Sequence, residues 1–415
     1  MKKVLSILLS VAMIVLCFAA CGKTDGDKSS TGKAANVKVG FIFLHDENST
    51  YDKNFITAAE EACKKAGVEI LKKTNISETQ ACYDAAAELV DEGCNVIFAD
   101  SFGHEPYIIQ AAKKFPEVQF LHATGTKAHT EGLSNYHNAF ASIYEGRYLA
   151  GVAAGMKLNE MISSGKITAD KAKMGYVGAY TYAEVISGYT SFYLGAKSVC
   201  PSVTMEVTFT GSWYDETAEK EAAQKLINNG CVLISQHADS MGAPTACEAA
   251  GVPNVSYNGS TVSACPNTFI VSSRIDWAPY LEYAIDCVKN GKAIDTDWTG
   301  TLSTGSVVLT DVNTKAAAEG TQAKIDEVKA ELESGKLHVF DTSAFTVTVS
   351  DSKNKNATVD ADGHLTGYKA DIDSDADNTG DTEVVSEGYF HESEKRSAPC
   401  FDVQIDGITL LDTKF

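Results

Sequence analysis

The sequence lacks the short motifs that carry most enzyme and nucleotide chemistry. Its 415 residues contain no Gly-x-Ser-x-Gly nucleophile elbow, no phosphate-binding Gly-x-x-x-x-Gly-Lys-Ser/Thr loop and no Gly-x-Gly-x-x-Gly after a strand. The eleven cysteines form no Cys-x-x-Cys pair, which argues against a zinc ribbon. We therefore expect no catalytic residue, no metal and no cofactor.

Basic residues and long apolar runs are also scarce. Lys and Arg number 35 against 55 Asp and Glu, for a net charge of −20, so a basic face that would contact nucleic-acid phosphates is not expected. After the first twenty residues, no apolar run is long enough to span a bilayer. The length and a hydrophobic content of 44% suit two or three domains or one large two-lobed unit.

The N-terminus predicts export. Two lysines precede the apolar run Val4–Ala20, and small residues lead to Cys21, which opens a polar stretch. Residues 1–20 are interpreted as a lipoprotein signal peptide and 21–35 as a flexible tether. The segment ending at Cys21 resembles a bacterial lipobox, although Phe18 stands where Leu is usual. In a lipobox the cysteine is acylated; the alternative is an ordinary secretory leader.

From Asn36 onward, strand and helix patterns alternate in two consecutive series. This order predicts an α/β fold with two Rossmann-like lobes built on parallel sheets. Ligands of such sheets bind beyond the carboxyl ends of the strands. The predicted strands are Val37–Leu44, Val68–Lys72, Val96–Ala99 and Val118–Ala123, then Met174–Val177, Val203–Phe209, Val232–Gln236, Val255–Tyr257 and Phe269–Ser272.

Aromatic and acidic residues follow these strands, without a lysine among them. Trp213 stands out because it occupies a short strand-to-helix connection where Gly, Asn or Asp is typical. Such a set suits a flat heterocycle that carries hydroxyl groups. The alternative for each residue is a turn or core role. The candidate ligand-binding residues are Asp46, Tyr51, Asp100, Phe102, Tyr180, Trp213, Asp215, His237, Asp239, Asn258 and Trp277.

Seven ordered segments resemble the basic membrane protein family, the substrate-binding lipoproteins of ABC importers that include purine-nucleoside receptors. They are VKVGFIF, FADSFGH, YEGRYLAGVAAGMK, MGYVGAY, SWYDETAEKEAAQKLINNG, LISQHADS and DWAPY. The resemblance implies a type I periplasmic-binding-protein fold with a ligand cleft between its lobes. We expect lobe 1 to comprise 36–155 and about 275–300, and lobe 2 to comprise 156–274 and about 301–345.

The resemblance also implies roles for individual residues. Tyr51 and Trp213 match the family's two stacking aromatics. Asp100 and Phe102 match the segment that meets the base edge, and Asp239 and Asn258 match ligand-facing strand ends. Nucleoside receptors of the family often place a lysine near the ribose; here the neighbourhood contains Arg274, which leaves nucleoside, free base and flavin open.

The resulting hypothesis is a lipid-anchored monomer on the extracytoplasmic face of the cell membrane. It would bind a nucleoside, expected to be a purine, and deliver it to an ABC permease and its ATPase. One alternative is a surface sensor of nucleosides or flavins with the same fold. Another is a nucleoside hydrolase, for which His237 and Asp239 would be an acid–base pair, but no partnered nucleophile accompanies them.

Residues 346–415 are expected to form a C-terminal extension with an acidic insertion. The run at 371–383 resembles a calcium loop, but it lacks the required Gly and Glu in either register. It is interpreted as a solvated loop. The final segment alternates apolar and polar residues, which predicts a returning strand or a hairpin on the body of the protein.

Overall fold

Parallel strands and covering helices build the two lobes. The computed structural model describes residues 36–350, 353–372 and 380–412, so the predicted signal peptide, the tether and Cys21 lie outside the described residues. None of the described helices combines the length and apolarity needed to cross a membrane.

The first sheet has the strand order β11-β5-β4-β3-β1-β2, and all its pairs are parallel. The strands β1, β3 and β4 in its middle read as mainly apolar, buried runs because helices cover both faces. The elements of this series are β1 (Lys38–Ile42), α1 (Thr50–Ala66), β2 (Glu69–Lys73), α2 (Gln80–Asp91), β3 (Val96–Ala99), α3 (Glu105–Lys114), β4 (Gln119–Ala123), α4 (Ala128–Glu131) and β5 (Tyr136–Ala141).

Strand β5 was missed by the sequence analysis. Its sequence places His137 and Asn138 in mid-strand, which breaks the apolar pattern, yet both are buried. His137 contacts the carbonyl of Asp295 at 3.0 Å and the side chain of Gln119 at 2.9 Å. The Asn138 side chain accepts from the Ala128 N–H at 2.8 Å. These hydrogen bonds satisfy the polar groups, so the strand can lie inside the lobe.

The second sheet has the order β12-β10-β9-β8-β6-β7-β18, in which only β12 is antiparallel to its neighbour. The remaining elements in chain order are α5 (Ile143–Ser163), β6 (Lys173–Gly178), α6 (Ala183–Val199), β7 (Thr204–Phe209), α7 (Glu216–Asn228), β8 (Leu233–His237), α8 (Gly242–Ala250), β9 (Asn254–Tyr257), β10 (Phe269–Ile275), α9 (Ala278–Lys289), β11 (Asp297–Gly300), β12 (Val307–Leu309) and α10 (Thr321–Glu333). Of these, β11 belongs to the first sheet, and α9 packs on α1.

Helix α5 carries the YEGRYLAGVAAGMK segment and packs closely against α6. A Cβ on Gly151 would lie 2.0 Å from the carbonyl oxygen of Phe192, and one on Gly195 would lie 2.0 Å from that of Tyr148. Only glycine at both positions allows the two backbones to approach this closely. The small residues of this segment therefore serve close helix packing.

The C-terminal extension covers lobe 2 and returns to its sheet. It contains β13 (Ala357–Val359), β14 (Leu365–Ala370), β15 (Thr382–Glu383), β16 (Val385–Ser386), β17 (Tyr389–Phe390) and β18 (Ile408–Leu410). The predicted returning strand is confirmed, since β18 pairs in parallel with β7. Every residue from Val185 to Ala196 of α6 is buried, and the extension contributes where Gly407 lies against the Tyr193 hydroxyl.

Candidate functional site

A cavity lies where the strand ends of the two sheets face each other. Six predicted residues line it: Tyr51, Phe102, Trp213, His237, Asp239 and Asn258. The other lining residues are Leu44, His45, Asp52, Ser101, Thr124, Glu184 and Tyr257.

Tyr51 forms part of the lobe 1 wall at the start of α1. That helix begins here because the Ser49 side chain caps it by accepting from the Asp52 N–H. The Tyr51 hydroxyl donates to the carbonyl of Asp100 at 2.7 Å, and its ring meets Phe55 edge-on at 4.9 Å. Burial raises the pKa of Tyr51 well above its ordinary value, so the phenol remains neutral. The ring is thereby held in one orientation beside the cavity.

Asp52 is a buried carboxylate beside Tyr51 that the sequence analysis did not select. It accepts from the His45 N–H at 2.7 Å and from the Ser49 hydroxyl at 2.6 Å. Burial alone would raise the pKa of Asp52, but hydrogen bonds from His45 and Ser49 outweigh it and lower the pKa. Its position three residues after a capping serine was the available sequence signal.

Asp100 lies outside the cavity lining, although it was predicted to bind the ligand. One side-chain oxygen accepts from the Leu44 N–H at 3.1 Å, and the other, Oδ2, has no hydrogen-bond partner among the described residues. Burial, followed by the charge of Asp52, raises the pKa of Asp100 well above its ordinary value.

Trp213 forms the opposing wall from lobe 2. Its ring meets Tyr180 edge-on at 5.0 Å and lies 6.1 Å from the ring of Tyr182. Its carbonyl accepts from the Asp239 N–H at 3.0 Å, which ties the connection after β7 to the end of β8. The tryptophan is therefore backed by aromatics and half-buried at the cavity edge rather than enclosed in the lobe core.

Asp239 and Asn258 form a pair at neighbouring strand ends. The Asn258 amide donates to Asp239 Oδ1 at 3.0 Å, and Asn258 adopts a left-handed backbone with φ 64°. Burial, and next the charge of Asp52, raises the pKa of Asp239 well above its ordinary value. The carbonyl of Asp239 also accepts from the Thr50 N–H of lobe 1 at 3.0 Å.

Aromatic pairs close the two lobes around the cavity. Phe102 of lobe 1 and Tyr182 of lobe 2 have ring centroids 5.2 Å apart. His45 and Tyr214 form a second pair at 5.4 Å. Phe102 and Tyr182 are nevertheless 37% and 40% exposed, so they lie at the mouth of the cavity and not within a core.

Four further candidates occupy structural positions instead of lining the cavity. Asp46 accepts from the Asn48 N–H at 3.0 Å in a turn, and the exposed Asp215 caps α7 by accepting from the Ala218 N–H at 2.9 Å. Tyr180 stacks on Tyr182 at 5.1 Å and supports Trp213 from behind. Trp277 is 1% exposed and stacks on Phe55 at 4.3 Å in the lobe 1 core.

The lining is acidic and contains neither lysine nor arginine. Its carboxylates are Asp52, Glu184 and Asp239. Arg274, the possible counterpart of the family's lysine, lies elsewhere and contacts Asn54 and Asp276. The described residues contain no cluster of His, Cys, Asp or Glu that could hold a metal ion. Such a site favours a neutral or cationic ligand with hydrogen-bond donors over a phosphorylated one.

Two lobes that meet at a cavity of aromatic and acidic strand-end residues define a periplasmic-type ligand-binding protein. The chain belongs to the family described as ABC transporter substrate-binding protein PnrA-like, whose model matches residues 40–337. The resemblance inferred from the sequence is thereby confirmed. This family comprises substrate-binding proteins of ABC transporters and is not an enzyme class.

Three known proteins illustrate the relationship. A purine-binding protein of Brucella abortus is 30% identical over 310 residues, which cover 73% of this chain and 83% of that protein. A candidate ABC transporter glucose-binding protein of Haloferax volcanii is 27% identical over 78% of each chain. The structure of an ABC transporter solute-binding protein from Conexibacter woesei covers 73% of this chain and 98% of its own, with 21% identity and a TM-score of 0.59. The last comparison confirms the predicted fold.

Proposed function

We propose that this protein captures a purine nucleoside or a related purine in the interlobe cavity and delivers it to an ABC permease. The observation that carries the proposal is the pairing of Tyr51 and Trp213 on opposite walls of one cavity. Two aromatic rings from different lobes can stack on the two faces of a flat base, and each contributes roughly 1–3 kcal/mol.

The polar lining supports a ligand that offers several donors. Asp239 and Glu184 supply acceptors for base N–H groups or ribose hydroxyls, and Asn258 can both donate and accept. The absence of lysine and arginine from the lining disfavours nucleotides. We propose Tyr51, Phe102, Trp213, His237, Asp239 and Asn258 as the contacts among the residues first predicted.

A sugar is the second candidate, favoured by the Haloferax relative. Aromatic rings and carboxylates also suit the apolar faces and hydroxyls of a hexose, so the same cavity chemistry is compatible with it. A sugar uses stacking on one or both faces without a base-edge partner. The two ligand classes are therefore separated by direct competition.

The setting of the site follows from family membership and the N-terminus. We propose that Cys21 is lipidated, that the protein works as a monomer on the extracytoplasmic face of the membrane, and that residues 21–35 tether it. Closure would bring the lobe formed by 36–155 and about 275–300 against the lobe formed by 156–274 and about 301–345.

Mass spectrometry of small molecules released from the purified protein tests the ligand class. Calorimetric titration of the emptied protein with adenine, adenosine, inosine, guanosine, riboflavin and glucose then ranks the candidates. We expect a purine to bind most tightly. Tight binding of glucose with no purine binding would replace the proposal by the sugar alternative, and release of free base from a nucleoside would indicate a hydrolase.

A further inference from the structure

Arg147 is a buried arginine whose hydrogen-bond acceptors among the described residues are all neutral. It comes from the YEGRYLAGVAAGMK segment of α5 and is 0% exposed. Its guanidinium donates to the Ser256 carbonyl at 3.2 Å, the Tyr176 hydroxyl at 3.0 Å and the Ser235 hydroxyl at 2.9 Å. Such burial is costly, so the position calls for an explanation beyond close helix packing.

Aromatic rings surround the Arg147 guanidinium and link it to the cavity. Its central carbon lies 5.0 Å from the ring centre of Tyr257, 5.1 Å from that of Phe192 and 5.4 Å from that of Tyr176. Cation–π attraction of this kind compensates in part for lost hydration. Tyr257 lines the cavity, and its hydroxyl has no partner among the described residues.

A chain of polar groups continues from Arg147 to the cavity wall. The Tyr176 hydroxyl lies 3.4 Å from His237 Nδ1, and His237 Nε2 lies 3.4 Å from Glu184 Oε1. Gly188 of α6 makes room for the imidazole, because a Cβ there would lie 2.7 Å from Nδ1. His237 and Glu184 both line the cavity.

Donor and acceptor rules give this chain a single direction. An arginine can only donate, so the Tyr176 oxygen accepts from it and the Tyr176 hydroxyl hydrogen points to His237 Nδ1. An ionised Glu184 can only accept, so His237 Nε2 must carry the ring proton. The opposite tautomer would leave the Tyr176 hydrogen without an acceptor and would place two acceptors face to face. Both ends of the chain therefore specify a neutral His237 protonated at Nε2.

We propose that Arg147, Tyr176 and His237 are positioning residues that hold Glu184 as an acceptor for an N–H or O–H group of the ligand. The identity of the ligand rests on the proposed function, but the tautomer of His237 does not. Buried Arg147 supplies the fixed donor that starts the chain. This arrangement discriminates between ligands, because a ligand that presents an acceptor instead of a donor to Glu184 would leave the carboxylate without a hydrogen bond.

The groups facing His237 from every packed element are consistent with a neutral ring. They are Arg147 of α5, Tyr176 of β6, Glu184 of α6 and Tyr257 of β9. Burial lowers the pKa of His237, while the hydrogen bond and charge of Glu184 oppose this effect and the charge of Arg147 adds to it. The net direction is downward, which agrees with the proton assignment made from geometry.

Tyr176→Phe tests the chain because it removes the linking hydroxyl and keeps the ring that packs on Tyr189 and Phe192. Tyr189→Phe is the matched control, since its buried hydroxyl has no partner among the described residues. Nitrogen NMR of ¹⁵N-histidine-labelled full-length protein in detergent reports the tautomer without any ligand. The His237 signals are assigned by their loss in His237→Asn.

We expect the parent, Tyr189→Phe and Tyr176→Phe all to show the Nε2-protonated tautomer, because Glu184 still faces Nε2 in each of them. Tyr176→Phe alone should shift the resonance of the unprotonated Nδ1 downfield, because that nitrogen loses its hydrogen-bond donor. An Nδ1-protonated or doubly protonated His237 in the parent at neutral pH, or an unchanged Nδ1 resonance in Tyr176→Phe, would overturn the proposal. For a ligand that binds the parent, Glu184→Gln should weaken affinity by roughly 10- to 100-fold. Equal affinity would also overturn it. If neither purines nor glucose bind the parent, the proposed function fails. The NMR result still tests the hydrogen-bonded series from Arg147 to Glu184, because it needs no ligand.

Discussion

Replacing Trp213 tests whether Tyr51 and Trp213 stack on the two faces of a base. Trp213→Ala would remove one stacking face and leave water against the ligand ring. Stacking a base on an aromatic side chain stabilises the complex by roughly 1–3 kcal/mol. Loss of this stabilisation in Trp213→Ala should therefore increase Kd by roughly 5- to 150-fold. Trp213→Phe keeps a π-face in the same place and should recover most of the affinity.

The contacts behind the ring allow stability and binding to be separated. Trp213 packs on Tyr180 at 5.0 Å and on Tyr182 at 6.1 Å. Each aromatic pair contributes about 0.5–1.5 kcal/mol, so Trp213→Ala should also lower the free energy of unfolding. This loss affects the free and the ligand-bound protein alike. Thermal unfolding without ligand measures it independently of Kd.

Calorimetry against adenine, adenosine, inosine and guanosine gives Kd for each variant, and tryptophan fluorescence provides a second assay. Of the three tryptophans, Trp277 lies in the core and Trp298 packs on Tyr280 at 5.1 Å, and only Trp213 lines the cavity. A ligand-induced emission change should therefore disappear in Trp213→Phe and persist in the control Trp298→Phe. If Trp213→Ala binds a purine as tightly as the parent, the stacking model is wrong.

Three further predictions address the anchor, the extension and a buried acid. Cys21→Ala should abolish lipid labelling and leave unprocessed precursor in membrane fractions; normal labelling would contradict the lipobox. Deleting 371–383 should leave Kd unchanged, because none of the described residues of this segment lines the cavity. The deletion should lower the melting temperature, since Glu383 accepts from the Tyr368 N–H at 2.8 Å; calcium-dependent binding in the parent would refute the loop interpretation. Burial raises the pKa of Glu219 from 4.5 to about 7, so the folded state retains a proton that the unfolded chain loses, and the free energy of unfolding should fall as pH rises between these values. Urea unfolding at pH 5 and pH 8 measures this fall, and Glu219→Gln should reduce the difference in the free energy of unfolding between the two pH values by up to about 3 kcal/mol. The exposed Glu216→Gln should behave as the parent does, and an equal pH dependence in Glu219→Gln and the parent would contradict the assignment.

The strand-end rule predicted much of the site because the cavity is built from those ends. Tyr51, Trp213 and Asp239 line it, and each lies in the connection after a strand or in the first turn of the helix that follows. Trp277 also follows a strand, but its ring turns into the lobe 1 core and stacks on Phe55. Position along the chain specifies the end of a sheet; the direction of a side chain depends on its neighbours.

Other parts of the site depend on contacts between distant segments. Glu184 begins a helix and resembles any acidic first-turn residue until His237 is found beside it. Asp100 was selected for its chemistry, yet burial under Tyr51 and the Leu44 N–H places it behind the wall. Strand β5 was hidden by polar residues that only long-range hydrogen bonds satisfy.

The pairing of β18 with β7 has a consequence for how the chain folds. Met205 lies beside Ile408, so almost half of the chain must still be made after β7 before this edge of the second sheet is covered. Contacts so distant in sequence form late, because closing a long loop has an entropic cost before any contact is gained. Until then β7 presents unpaired N–H and C=O groups to other chains. The net charge of −20 makes nascent copies repel one another during that interval, so acidic composition protects the protein from edge-to-edge aggregation.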